Sequence, residues 1–86
     1  ENDVILTWDA IEHEGGDAIS YYVVYYFKGR KTGSFNDPAN ILTFTTDNMV
    51  EINKIKHLKG NYTFVVTAIN RFKEESKPNY AVTRKL

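Results

Sequence analysis

The chain has no cysteine among its 86 residues. No disulfide can staple the fold, so side-chain packing has to hold it, although the absence assigns no compartment. It has no excess of charge either, because eleven basic and eleven acidic residues cancel. A neutral chain lacks the electrostatic footprint of a nucleic-acid binder, and no nucleic-acid partner is expected. No apolar run approaches the ~20 residues needed to span a bilayer, and no signal peptide is present, so these residues are not expected to insert into a membrane. Nor does any segment carry a sustained apolar stripe of helical period; helix content should be near zero.

The residues that would carry chemistry are equally sparse. The only two histidines are His13 and His57, both in turn regions, and zinc needs a cluster of ligands that this spacing does not supply. The acidic run Asp9, Glu12, His13, Glu14, Asp17 lacks the alternating oxygen-ligand register of a calcium loop and reads as a solvated connection. Two carboxylates of a glycosidase must face each other across roughly 5–10 Å, which the sequence neighbours Glu74 and Glu75 in a surface turn cannot do. No phosphate loop or nucleophile elbow occurs, and Ser20, Ser34 and Ser76 have no histidine in register. No catalytic, cofactor-binding or metal-binding residue is assigned, and the chain is not expected to be an enzyme. Asn61-Tyr62-Thr63 is a formal glycosylation sequon within a strand, read as unmodified.

What is present is β pattern. Val4, Leu6 and Trp8, the lone tryptophan, alternate along one strand over 3–9. Residues 10–17, with Gly15-Gly16, form a turn-rich connection. A second strand over 18–27 (Ala-Ile-Ser-Tyr-Tyr-Val-Val-Tyr-Tyr-Phe) is apolar or aromatic on both faces. Residues 28–40 form a long loop, followed by short strands over 41–46 and 49–53. Strict alternation over 61–70 marks the next strand, and Pro78 precedes a last one over 80–86. Six short strands at this spacing predict a single domain, 1–86, folded as an antiparallel two-sheet sandwich. Its size implies modest stability. The chain opens on Glu1 with a strand close behind, which reads as a module cut from a longer protein.

These residues carry a resemblance. Val4-x-Leu6-x-Trp8 resembles strand B of fibronectin type III domains, and Ile19 to Tyr26 resembles their strand C in the variant common in bacterial members. Leu58-Lys-Gly60-Asn-Tyr62-x-Phe64-x-Val66-x-Ala68-x-Asn70, with Ser76-x-Pro78, resembles the tyrosine-corner turn and strands F and G. The likeness covers nearly the whole chain. It implies an all-β, immunoglobulin-like sandwich of fibronectin type III kind, with Trp8, Tyr22, Val24, Tyr62, Phe64 and Val66 in the core. The tyrosine corner implies a hydrogen bond from the Tyr62 hydroxyl to backbone within 54–58. Strand A, which would precede Glu1, is short or missing, leaving one sheet edge open.

A narrower resemblance lies in Phe35-Asn-Asp37-Pro38-Ala-Asn40-Ile41-Leu42 and in Ala68-Ile-Asn70-Arg71-Phe72-x-x-Glu75-Ser76-x-Pro78. Both look like the fibronectin type III domain that follows the barrel of glycoside-hydrolase-like secreted lipoproteins of bacteria. That likeness implies a non-catalytic accessory or spacer module in an extracellular, periplasmic or cell-envelope protein. Its partner would be a neighbouring domain of the parent chain.

One feature is in excess. With Tyr22, Val24 and Tyr26 inward, the outward set of the second strand is Tyr21, Val23, Tyr25 and Phe27. Val65 and Ile69 add to it from the neighbouring strand. This apolar outer face is the candidate interaction surface, larger than a monomer ordinarily leaves exposed. It could dock a neighbouring domain, stack a carbohydrate on Tyr21 and Tyr25, or only stabilise the sheet through cross-strand pairs worth about 0.2–1 kcal/mol each. A receptor-type recognition role for the 28–40 loop is a further alternative.

Overall fold

The computed structural model of the chain describes residues 4–10, 18–78 and 80–86. Glu12, His13, Glu14, Asp17 and the Gly15-Gly16 pair lie outside the described residues. Six strands form in chain order: β1 (Ile5–Thr7), β2 (Ile19–Lys28), β3 (Ile41–Thr45), β4 (Met49–Glu51), β5 (Asn61–Asn70) and β6 (Tyr80–Lys85). They assemble into an all-β, immunoglobulin-like antiparallel sandwich. One sheet is the pair β1-β4; the other has the order β3-β2-β5-β6.

Alternation in β1 and β5 sets what lies between the sheets. Leu6 and Trp8 point inward from the small sheet, with Val50 from β4 and Ile52 just beyond it. Tyr22 and Val24 of β2 meet them, as do Phe64, Val66 and Ala68 of β5. Trp8 lies edge-on to Tyr22, with ring centroids 5.6 Å apart, and tilts against Tyr80 of β6 at 6.2 Å. The expected core residues Trp8, Tyr22, Val24, Phe64 and Val66 are therefore buried together, whereas Tyr62 is only half-buried.

The expected tyrosine corner is not formed. The Tyr62 hydroxyl makes no hydrogen bond to 54–58 among the described residues; its ring stacks between Tyr26, at 6.0 Å, and Phe64, at 6.4 Å. The connection instead winds into one helical turn, α1 (Ile52–Ile55), whose end is closed by Lys56 N–H donating to the Ile52 carbonyl at 3.0 Å. That turn sends Lys56 to Tyr26, with Nζ 2.6 Å from its hydroxyl. Helix therefore exceeds the near-zero expectation by this turn and by a short 3-10 turn at Pro38–Asn40, where the Asp37 carboxylate accepts from Ala39 N–H at 3.0 Å. Gly60, at φ 95°, makes the tight turn into β5 that an L side chain would resist.

Candidate interaction face

The outer face of the large sheet is not open. Val23, Tyr25 and Phe27 are 3%, 3% and 5% exposed, and Val65 and Ile69 are buried with them in a second apolar cluster. Only Tyr21 of the expected face stays half-buried. The face is covered by the chain itself, from two directions.

From one side the 28–40 loop folds back. Phe35 sets its ring edge-on to both Tyr25 (4.9 Å) and Phe27 (5.4 Å). Those two rings are nearly parallel, with an interplanar angle of 6°. Gly33 passes so close that a Cβ there would sit 3.0 Å from the Phe27 ring, which leaves little room for any other residue. Ile41, at the start of β3, completes the edge of the cluster. Ser34 and Asn40 brace the loop, Asn40 Nδ2 donating to the Ser34 carbonyl at 2.9 Å.

From the other side the β5–β6 turn closes down, organised by the buried side chain of Asn70. Its Oδ1 accepts from the backbone N–H of Phe72 (2.9 Å) and of Glu74 (3.0 Å), and its Nδ2 donates to Glu74 Oε1 at 2.9 Å. Lys73 takes a left-handed conformation, φ 65°, to complete the bend. Ser76 then rejoins β5: Ala68 N–H donates to its Oγ at 2.9 Å, and its own N–H donates to the Ala68 carbonyl at 2.8 Å. This geometry delivers Glu75 to the outer face. Its Oε2 accepts from the Tyr25 hydroxyl and, at 2.5 Å, from Thr67 Oγ1.

Both glutamates of the turn are exposed, yet each carboxylate is engaged, one with Asn70 and the other with Tyr25 and Thr67. Burial first, then the hydrogen bond to Glu75 and its charge, push the Tyr25 phenol above its ordinary ionisation range. Tyr25 has neither a free ring face nor a free hydroxyl with which to stack a sugar. What remains outside is a rim. Phe44 of β3, 59% exposed, packs edge-on against Tyr21 at 5.7 Å, and Lys73 Nζ lies 5.3 Å above the Tyr21 ring. Phe72, also 59% exposed, stands in the turn with the Arg71 guanidinium over its ring at 4.7 Å.

Sequence reasoning did not anticipate Phe35, Glu75 and Asn70 as covering residues. Phe35 and Glu75 lie outside the period-2 segments that reveal a strand's faces, and Asn70 is the last residue of such a segment, where alternation says nothing of the turn its side chain organises. Phe44 sat in a segment recognised as a strand, but its exposure depends on β3 being an edge. His57 and Asp9 are exposed, and His13 lies outside the described residues. Among the described residues no group of three or more His, Asp or Glu could hold a metal ion. Comparison with known proteins finds no family model, no curated protein and no solved structure that matches this chain.

Proposed function

We propose that this domain is a non-catalytic accessory module of fibronectin type III kind, which packs against or positions a neighbouring domain. The sequence resemblance extends the proposal to its setting, a bacterial secreted or envelope-anchored glycoside-hydrolase-like protein. The observation that supports docking is the rim of Phe44, Tyr21 and Phe72. Two large aromatics more than half exposed beside a closed apolar cluster are the kind of anchor that protein interfaces bury at their centre. The main sheet face needs no outside partner, which narrows the contact to this end of the sheet.

Calorimetry on the full-length parent protein tests the reading. A docked module unfolds at a higher temperature in the parent than alone, and Phe44→Ser with Phe72→Ser removes that difference without unfolding the isolated domain. Identical melting in both settings counts against docking. Saturable polysaccharide binding that Tyr21→Ala destroys would replace the reading with a carbohydrate-binding module. Turnover of chromogenic glycosides or esters that is lost on mutating Glu74 or Glu75 would replace it with an enzyme.

A further inference from the structure

The charges of this chain cancel in sum and not in place. Strands β2 and β5, ten residues each, span about 30 Å at roughly 3.3 Å per residue. The two ends of the large sheet are thus farther apart than a screening length of about 10 Å. Where β2 stops and β5 begins, the register sets Lys28 beside Tyr62 and Tyr62 beside Arg84, one row across three strands. Gly29 N–H donates to the Asn61 carbonyl at 2.7 Å, which holds the following Arg30 and Lys31 at the same end. Gly60 and Leu86 exchange both backbone hydrogen bonds, at 2.8 and 3.2 Å, which brings Lys59 up to Lys85. The helical turn α1 and its cap add Lys54 and Lys56, the latter with Nζ 5.0 Å over the Tyr26 ring.

Eight of the eleven Lys and Arg residues are thereby gathered at one end, and all eight are exposed. Lys54 pairs with Glu51 at 3.4 Å; the other seven stand in no ion pair among the described residues. Asp37, on the loop that leaves this end, accepts from Ala39 N–H through its carboxylate. The opposite end sets three cations, Arg71, Lys73 and Lys77, against four anions, Asp9, Asp47, Glu74 and Glu75. Counting Glu1 and Asp3, which lie outside the described residues, against the basic end would still leave eight cations there to four anions.

We propose that this basic end binds the surface of an anionic lipid bilayer, with the β5–β6 turn directed away from the membrane. Three observations select a lipid surface among polyanions. The cations come from strand ends, a loop and a helical turn that together cap the sheet, and a cap presents its charge to a plane. Ile55, 43% exposed, sits between Lys54 and Lys56, an apolar side chain that a bilayer interface accepts and a phosphate chain does not. The rings at this end, Tyr26 and Tyr62, are half-buried and stacked on each other at 6.0 Å, so no open ring is offered to a base or a sugar. Each cation brought to an anionic surface is worth about fivefold in partitioning.

Co-sedimentation of the 86-residue chain with vesicles of phosphatidylcholine and phosphatidylglycerol in equal parts, beside vesicles of phosphatidylcholine alone, tests the proposal. The chain should pellet with the first and not with the second, and raising salt from about 0.1 M to about 1 M should release it. Arg30→Gln with Lys31→Gln, or Lys59→Gln with Lys85→Gln, should each weaken binding about 25-fold. Lys73→Gln with Lys77→Gln, at the other end, should leave it unchanged. Ile55→Ser should weaken it without altering the salt dependence. All these positions are exposed, and circular dichroism confirms that each variant is folded. Equal binding to both vesicles, or binding to neither at about 0.1 M salt, overturns the proposal. So does binding that is lost on neutralising Lys73 and Lys77 and kept by both basic-end variants. Capture of a single-stranded oligonucleotide or a sulfated polysaccharide by a chain that ignores the charged vesicles overturns it as well.

Discussion

Tyr25 on β2 and Glu75 on the β5–β6 turn stand fifty positions apart in the chain and share a hydrogen bond, phenol to carboxylate, across the outer face of the large sheet. The bond couples a turn to the middle of a strand, and burial first, with this bond and the Glu75 charge behind it, holds the phenol neutral. The folded state keeps its proton at a pH where an unfolded tyrosine, with an ordinary pKa of about 10, has lost it. Fewer protons bound in the unfolded state mean that stability falls as pH rises. The contribution is fully present below about pH 10 and is lost above it. Tyr25→Phe should cost about 1 kcal/mol at neutral pH. It should also flatten the alkaline limb of stability against pH, read from urea unfolding at several pH values. An unchanged alkaline limb would show that Tyr25 is not the titrating group.

Phe35 is the only aromatic that the 28–40 loop lays against the outer cluster. Phe35→Ala should cost about 1–2 kcal/mol, less than a fully buried phenylalanine because the ring is half-buried. The same change should create binding of a hydrophobic dye by uncovering Tyr25 and Phe27. A variant of unaltered stability that binds no dye would mean the loop covers the face without this side chain.

Tyr62→Phe should be close to neutral, within about 0.5 kcal/mol, because its hydroxyl has no hydrogen-bond partner among the described residues. A tyrosine corner would give a loss near 1 kcal/mol in the same denaturant titration. The two values are readily separated.

Trp8 touches Tyr22 and Tyr80 from between the sheets, and no disulfide supports it. Trp8→Ala should remove about 3–5 kcal/mol, a large part of what a domain of this size has to spare. Thermal melting by circular dichroism checks it, and an unaltered transition would contradict the packing described.

How far the sequence revealed this structure depended on periodicity. The alternation of Leu6 with Trp8, and of Phe64, Val66 and Ala68, correctly set the inner core, because a half-buried strand records its buried side every second residue. The run from Tyr21 to Phe27 recorded something more, burial on both faces, and was read as one buried face and one exposed face. The difference arose because a second cover came from loops, where no period exists to announce it. Glu75 does lie in a surface turn, as expected, but its reach to Tyr25 and Thr67 depends on the Asn70 hydrogen bonds that shape the turn, which no pattern announces. The Tyr62 expectation failed for a similar reason. Residues 52–55 closed a helical turn on themselves, and no alternating pattern could foretell which tyrosine Lys56 would reach.

The folded-back loop also sets a limit on engineering. Sandwiches of this architecture invite the use of their connecting loops as variable surfaces for display libraries, on the premise that a loop can be rewritten while the framework stands. Residues 28–40 do not meet that premise. Gly33 and Phe35 are framework, since a Cβ at the first would press on the Phe27 ring at 3.0 Å and the second closes a hydrophobic cluster. A library that randomised them would select first for clones that still fold, and its apparent binders would include molecules displaying a bare aromatic sheet. Diversity placed at the exposed positions Arg30, Lys31 and Thr32 would leave that cover intact.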